Sequence, residues 1–546
     1  MTVAEAIAEI LKREQVEIVF GYPLNHILEA VAAVGIRTVI VRQERVGLHM
    51  ADAYSRMTSG EKIGVFVMQH GPGSENSFGG VAQAYGESVP ILVMPMGYRR
   101  RLAQIEPNFS SVNSMRSITK HRECIALPGE LSNVMRRAFS QLRTGRGGPV
   151  LVEVPIDMFP EELPQPLSYE PPAKRLYKPD AADIRLAAEA LVAAKRPVIY
   201  AGQGIHYSRG WDSLKRLAEF LGTPVATSLS GKSAFPEDHR LSLGAGGNAF
   251  PATVPHFLAE ADLIFGIGCS FTETSFGIAM PAGKKIIHST LDPAHLNKDI
   301  HADIGLIGDA RLTLDDLCDE VQELVKAPLN WQWVDEIARV RERWLEEWSP
   351  KFTSNDTPLS PYRVLRDLQA TVDVANTIIT HDAGSPRDQL APFWRSTTPK
   401  SYIGWGKTTQ LGYGLGLALG AKVACPDKLC INVWGDAAIG FTGMDFETAV
   451  RERIPILSIL LNNFSMAMEI PIMPVSTERY RATDISGDYA AFARALGGYG
   501  ERITEPAEII PAIRRGIAET QNGRPALLEF ITAKETVLST SYHRHM

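Results

Sequence analysis

Two oxygen-bearing side chains, Asp436 and Asn463, bracket a stretch that reads strand, helix, strand. Leu429–Trp434 is a short apolar run, Met444–Glu452 has helical periodicity, and ILSILL after Pro455 is a second apolar run. Thr442 and Asp445 are spaced as in a capping box and predict the start of the helix between the strands. A crossover of this length is right-handed and joins parallel strands, so Asp436 and Asn463 fall past strand ends on one sheet edge, where open α/β sheets bind ligands. One carboxylate and one amide oxygen are too few for a closed protein cage. They suit Mg²⁺, which completes its shell with water and phosphate oxygens. Gly435 and the small residues Ala437 and Ala438 let backbone N–H groups approach a diphosphate. A plain strand-to-helix turn with a buried Asn is the alternative left open by these residues alone.

A second group lies near the N-terminus. The strand TVIV leads to Arg42-Gln43-Glu44 and a helix, and the strand IGVFVM ends in Gln69-His70-Gly71-Pro72-Gly73-Ser74-Glu75-Asn76, a glycine-punctuated turn that opens a helix at FGGVAQAY. Alone, Glu44 is an acid in a helix's first turn, favoured by the dipole. A carboxylate and a polar turn in one domain, with a phosphate-metal site in another, require a ligand long enough to touch both.

The elements that carry these residues alternate along all 546 residues, a length that predicts roughly three or four domains. Helices at 3–14, 27–34 and 47–58 alternate with strands at 17–20, 38–41 and 63–68, which argues for a mostly parallel sheet wrapped by helices. A proline-dense run between Pro160 and Pro179 reads as a linker, and the Trp- and Arg-rich helix Trp331–Trp348 with SPKFTSNDTPLSP reads as a second. The predicted fold is α/β, three doubly wound parallel-sheet domains at 1–165, 183–325 and 360–535. The first and third are alike in pattern, as a duplication would leave them, and the central one has a Gly202-Gln-Gly204 turn that is a weak dinucleotide signal. Charge is near balance, 56 basic against 62 acidic residues, giving no argument for nucleic acid or an anionic membrane. The N-terminal stretch lacks a signal-peptide pattern, no apolar run is long enough to span a bilayer, and the five scattered cysteines form neither a zinc spacing nor a disulfide framework. A reducing, cytoplasmic compartment is expected.

The segments RQERVGLHMADAYSRMTSG, HGPGSENSFGGVAQAYGESVPILVMPMG, RSITKH and GDAAIGFTGMDFETAVRERIPILSILLNN resemble the diagnostic segments of thiamine-diphosphate-dependent enzymes of the acetolactate synthase type. The likeness keeps its order over nearly the whole chain, including RPVIYAGQGI, LIFGIG and IIHSTLDPAHLNKDIHADIGLIGD in the centre. It implies a pyrimidine-binding first domain, a Rossmann-like central domain and a diphosphate-binding third domain, with thiamine diphosphate and Mg²⁺ as cofactors. By this resemblance Glu44 would hydrogen-bond the aminopyrimidine and favour its imino tautomer, and Asn76 counts among the cofactor-binding residues. Asp436, Asn463 and the carbonyl of Ser465 would hold Mg²⁺, while Gly384, Ser385, Gly435, Ala437 and Ala438 line the diphosphate. Leu411 matches the apolar wedge that bends the cofactor, and the Thr409 carbonyl would accept from its amino group, although relatives usually carry glycine there. Asn25, Gln69 and His70 would face the substrate, with His70 able to transfer protons or simply to bridge backbone. Met466, Met468 and Glu469 could roof the site. Such families pair the first domain of one chain with the third of another, which implies a homo-oligomer, at least a dimer and commonly a tetramer.

Several segments depart from acetolactate synthase. GDA replaces GDG, and GDAAIGFTGMDFET is closer to the pattern of oxalyl-CoA decarboxylases and 2-hydroxyacyl-CoA lyases. MEIPIMPVSTERY replaces the tryptophan-containing segment after the metal site, and CSFTETSFG stands where a flavin-associated motif would be, which argues against FAD. The leading reading is a thiamine-diphosphate- and Mg²⁺-dependent lyase or carboligase acting on a small 2-oxo acid or 2-hydroxyacyl substrate. An acyl-CoA enzyme using Arg99, Arg100 and Arg101, a flavin-linked 2-oxo acid oxidase, and a cofactor-binding protein without turnover are the alternatives. The tail TSYHRHM would be a lid or a frayed end.

Overall fold

The computed structural model describes residues 1–540; of the tail read as a lid, everything after Thr540 lies outside them. Among the described residues, eighteen strands form three six-stranded sheets in which every strand pairing is parallel. The first holds β1 (Ile18–Gly21), β2 (Arg37–Ile40), β3 (Gly64–Met68), β4 (Ile91–Gly97), β5 (His121–Cys124) and β6 (Val150–Pro155), in the order β2-β1-β3-β4-β6-β5. The second holds β7 (Pro197–Ala201), β8 (Val225–Ser228), β9 (Ser242–Gly246), β10 (Leu263–Ile267), β11 (Lys285–Thr290) and β12 (Ile304–Ile307), in the order β12-β11-β10-β7-β8-β9. The third holds β13 (Thr377–His381), β14 (Tyr402–Ile403), β15 (Leu429–Gly435), β16 (Leu457–Asn462), β17 (Tyr499–Ile503) and β18 (Ala526–Ile531), in the order β14-β13-β15-β16-β18-β17. The first and third sheets share one strand order, and the central sheet has the Rossmann order. Inner strands such as β3, β4, β10 and β16 are buried along their whole length because helices cover both faces, whereas edge strands put side chains in water, Arg37 on β2 and Arg502 on β17 among them. No helix among the described residues is long and apolar enough to cross a membrane.

Two compact units emerge. One comprises Met1–Arg175, Gly412–Asp427 and Thr442–Ile456 and contains the first sheet. Its closest helix crossing sets Tyr413–Ala424 against Glu44–Met57, where a Cβ on Gly420 would come within 2.3 Å of the Met50 carbonyl oxygen. Beside that crossing Asp52 holds Arg56 at 2.6 Å and accepts the Tyr413 hydroxyl, so these three buried groups satisfy one another, while His49, edge-on to Tyr413, keeps both ring nitrogens without a partner. The proline-dense run is extended, as expected, but it is pinned down: Tyr169 is buried with its hydroxyl on Glu14, and Arg143 donates to the Pro172 carbonyl at 2.8 Å.

The other unit carries the second and third sheets. Gly202 and Gly204 are there for close packing, since a Cβ on either would strike the backbone of Gly268 at under 3 Å. The predicted second linker is a packed helix, Val334–Phe352. Trp344 is buried, stacks on Phe393 with ring centroids 4.7 Å apart, and donates Nε1–H to Ser539 Oγ at 3.0 Å. It read as part of a linker, but its three aromatic rings, Trp344, Trp348 and Phe352, all reach Phe393.

Alanine is ordinarily a better helix former than glycine by about 1 kcal/mol. At Gly420 the sign should reverse: Gly420→Ala is expected to lower stability by about 1–3 kcal/mol, the usual cost of overpacking, read as a fall in the chemical denaturation midpoint. A midpoint unchanged or raised would mean that the crossing can open at no cost.

Candidate functional site

In the unit with the third sheet, a cavity of about 270 Å³ is walled by the segments that follow β13, β15, β16 and β18. It lies at the carboxyl edge of a parallel sheet, as the crossover argument required. After β13 the chain reaches Gly384, at φ 75° and ψ −144°, a region that only glycine enters freely, and then turns into the short helix Ser385–Leu390. β15 runs directly into the helix Asp436–Thr442. β16 ends at Asn462, whose side chain donates to Glu529 at 2.7 Å and accepts the Phe464 N–H at 3.0 Å.

Phe464 then takes a left-handed φ of 57°, which brings the Ser465 N–H back over the strand ends. That single N–H donates to Asn463 Oδ1 at 2.9 Å and to Asp436 Oδ2 at 3.1 Å. Two oxygens far apart in sequence thereby accept from one donor. Asp436 is buried, and desolvation pushes its carboxyl up to about 6, against the opposing pull of the backbone N–H groups of Ser465, Ala437, Phe464 and Asn463. Gly384, Ser385, Thr409, Leu411, Gly435, Asp436, Ala437, Ala438, Asn463 and Ser465 all line this one cavity, with Met466, Met468 and Glu469. Arg387 and Phe276 line it too. Neither was anticipated, because an Arg-Asp pair and an isolated Phe carry no signal of their own in sequence.

The helix expected over Met444–Glu452 is shorter, Phe446–Arg451, and a separate helix precedes it. The helix Asp436–Thr442 is followed by a 3-10 turn, Gly443–Asp445, and a short helix, Phe446–Arg451. The capping box does not form: Thr442 Oγ1 donates to the Gly412 carbonyl at 2.8 Å, and Asp445 is engaged elsewhere.

Asp445 belongs to the unit with the first sheet. Fully buried, its Oδ1 accepts the Arg42 N–H and the Thr448 hydroxyl, each at 2.8 Å, and Arg451 donates to the Ile40 carbonyl at 2.6 Å. These bonds fix the β2 end and the turn that presents Glu44, the first residue of the helix Glu44–Met57. Glu44 is buried, and desolvation raises its pKa against a hydrogen bond from Asn76. Asn76 Nδ2 reaches Glu44 Oε2 at 3.3 Å, and the other oxygen, Oε1, lies 3.4 Å from where a Gly73 Cβ would stand. Both partners sit in the helix Pro72–Gly86, which starts at Pro72 and not at the predicted Phe78, so the polar turn is itself the helix's first turn.

Ser74, in that turn, donates to the Gln69 carbonyl at 3.3 Å and accepts from Ser111 Oγ at 3.0 Å. His70 lies edge-on to Tyr98 with centroids 4.6 Å apart, its Nδ1 buried without a partner, and burial lowers its pKa so that the ring is held neutral at pH 7. Asn25, expected at the substrate, caps the helix His26–Ala33, accepting the Ile27 N–H at 2.9 Å. Its Nδ2 donates to Met68 O at 2.9 Å and to Met94 O at 3.4 Å, which leaves no amide hydrogen to offer a ligand. Arg100, one of the three arginines considered for an anionic group, is tied to Asp157 at 3.1 Å and to Glu161. It is a solvated ion pair of the surface.

Three family profiles match the chain: the thiamine pyrophosphate enzyme N-terminal TPP binding domain over residues 1–116, the central domain over 184–317, and the C-terminal TPP binding domain over 382–530. A protein of Methanocaldococcus jannaschii named probable acetolactate synthase large subunit is 31% identical, over 97% of this chain and 91% of its own length. A Methanococcus aeolicus protein of the same name is 29% identical over 99% and 93%. The acetolactate synthase isozyme 3 large subunit of Escherichia coli K12 is 29% identical over 95% and 93%.

Asp445 generates a pH-dependent prediction. Burial raises its carboxyl from the ordinary 3.8 to about 6, so the folded chain keeps this proton more tightly than the unfolded chain does. The stability it contributes is complete below about 3.8 and is lost as pH rises through about 6. In Asp445→Asn the amide oxygen still accepts from Arg42 and Thr448 but does not titrate. Its melting temperature relative to the unaltered protein should therefore rise between about pH 4 and about pH 6 and then level off; a difference that falls over that interval would show that the buried group prefers its charge.

Proposed function

From a chain that belongs to the thiamine-diphosphate enzymes of the acetolactate synthase type, we propose a Mg²⁺-dependent carbon–carbon lyase and carboligase that decarboxylates a 2-oxo acid and passes the acyl unit to a second carbonyl. The observation that carries this reading is the convergence of Asp436 Oδ2 and Asn463 Oδ1 on one backbone N–H, in a cavity that also presents Leu411 and Thr409. The donor set fits the metal: a carboxylate, an amide oxygen and the Ser465 carbonyl are hard oxygens, few enough to leave positions for water and phosphate. The cradle fits a diphosphate, since nothing stands within 4 Å of Gly384 on its side-chain side and the short helix after it begins with backbone N–H groups at the same cavity.

When bound, thiamine diphosphate supplies a carbon nucleophile for a carbonyl and an electron sink for the charge left when a carbon–carbon bond breaks. The chain's own residues place and protonate. Glu44, one carboxylate oxygen held by Asn76 and its pKa raised by burial, would hold the cofactor's aminopyrimidine through Oε1 and exchange a proton with it there. His70, neutral at pH 7, can accept a proton at the ring, and Gln69 lies next to it at the same strand end. Leu411 supplies apolar bulk and Thr409 a backbone carbonyl. Glu44 lies in the first domain and Asp436 in the third, and enzymes of this type bring such domains together from two chains. We therefore read the working assembly as at least a homodimer, with a tetramer as its elaboration. The five free cysteines suit a reducing, cytoplasmic setting. The acyl-CoA reading loses Arg100, which is already paired, and rests on the GFTGMDFET segment with Arg99 and Arg101.

Protein freed of metal by a chelator should gain thermal stability when thiamine diphosphate and Mg²⁺ are added together, and Asp436→Ala should lose that gain; no stabilisation of the unaltered protein would sink the reading. Glu44→Gln should keep the stabilisation and lose at least about 100-fold in turnover of 2-oxo acids, scored as CO₂ release and as new carbon–carbon bonds.

A further inference from the structure

Arg387 is an arginine buried to 2% exposure in the wall of the cavity that holds Asp436 and Asn463. Its Nε donates to Asp388 Oδ1 at 2.7 Å and its Nη2 to Asp388 Oδ2 at 2.8 Å. Asn248 Nδ2 donates to the same Asp388 oxygen at 2.8 Å, and the Phe276 ring covers the guanidinium face with its centroid 4.8 Å from Cζ. The guanidinium is therefore fixed in place and orientation. What it does not have is a partner for Nη1, which is buried and unbonded.

The planar group has two edges suited to a carboxylate. Asp388 takes the side-on edge, Nε with one hydrogen of Nη2. The end-on edge, Nη1 with the second hydrogen of Nη2, is left over, and it is a fork of parallel donors spaced for two oxygens. A structural ion pair with Asp388 explains the first edge and not the second, because a buried charged donor left without an acceptor is destabilising.

Resting on the function read above, we propose that the end-on edge of Arg387 recognises the substrate through a carboxylate that stays in the product. The reaction itself selects which carboxylate this can be. A guanidinium gripping the carboxylate that departs as CO₂ would stabilise the starting state and lose its hold as charge leaves, which opposes the step. A carboxylate that persists, on a 2-oxo acid acceptor or as the second acid of a 2-oxo diacid donor, is held equally throughout and serves orientation. Arg387 is in this reading a specificity-determining residue, and the substrate class it selects is one that carries an anionic group away from the bond that breaks.

Binding tests this without turnover. The thiamine-diphosphate- and Mg²⁺-loaded protein is titrated by calorimetry with 2-hydroxyisobutyrate, a product-like 2-hydroxy acid, and with its neutral amide. The unaltered protein should bind the acid at least about tenfold more tightly, Arg387→Gln should bind the two alike, and Arg387→Lys, which keeps the charge and lacks the fork, should fall between them. Equal binding of acid and amide by the unaltered protein, or discrimination retained in Arg387→Gln, overturns the proposal. So does loss of the thermal stabilisation by thiamine diphosphate and Mg²⁺ in Arg387→Lys, which would give the fork to the diphosphate. Kinetics then separate the two sources: the KM of a 2-oxo acid acceptor rises in Arg387→Gln if the acceptor is held, and that of a 2-oxo diacid donor paired with a neutral aldehyde rises if the donor is. Failure of the general reading looks different, since it leaves the unaltered protein without stabilisation by the cofactor and metal.

Discussion

The site depends on the register of two neighbouring strands. In the β15–β16 pairing Gly435 stands opposite Leu461, so the next residue of one strand and the residues just past the end of the other emerge together. A slip by one position would send Asp436 and Asn463 to opposite faces of the sheet. The register is held by more than apolar packing: Asn432 and Ser458 are paired within it, both fully buried, and Ser458 Oγ donates to Asn432 Oδ1 at 2.6 Å. On the far side of β16, Asn462 donates to Glu529 of β18, which also takes a two-pronged hold from Arg502 at 3.0 and 2.9 Å. Polar groups buried inside a parallel sheet tolerate only the alignment that satisfies them, which makes them better register marks than interchangeable aliphatic side chains.

Burial gives the functional side chains their character. Glu44, Asp436 and Asp445 are all carboxyls whose pKa values are raised by removal from water. Each keeps a different compensation: a side-chain amide for Glu44, several backbone N–H groups for Asp436, and a backbone N–H with a hydroxyl for Asp445. The compensation matches the task. Glu44 has one oxygen committed and one left for a ligand. Asp436 is gathered toward Asn463 as a metal ligand would be. Asp445 spends itself on holding the turn before Glu44, and acts through position alone.

The same segment of sequence therefore serves two ends. Residues from Gly435 through Ala438 line the phosphate-sized cavity, and a few positions later Asp445 and Arg451 fasten the Glu44 turn in the unit of the first sheet. The shared strand order of the first and third sheets, set beside a central sheet of Rossmann order, fits the duplication that their like patterns suggested.

The chain by itself determined the three parallel α/β sheets, because helical and extended periodicities alternate and glycines mark the strand ends where ligands bind. It also carried the cofactor class, through the resemblance of its motifs to those of thiamine-diphosphate enzymes, where the residues alone pointed only to a metal and a diphosphate. Several things were out of its reach. The helix Val334–Phe352 looked like a spacer because its charges are visible in sequence and the Phe393 that its rings meet is remote. Asn25 looked available, and only the carbonyls of Met68 and Met94, brought over it by the sheet, exhaust its amide. Asp445 read as a helix cap because local spacing cannot reveal an acceptor's long-range donor. Arg387 drew no reading, since sequence shows the adjacent Asp388 but not the burial that leaves one edge of a guanidinium without a partner. Local pattern is written in the order of residues, whereas desolvation and hydrogen-bond saturation are decided by what the fold brings from elsewhere.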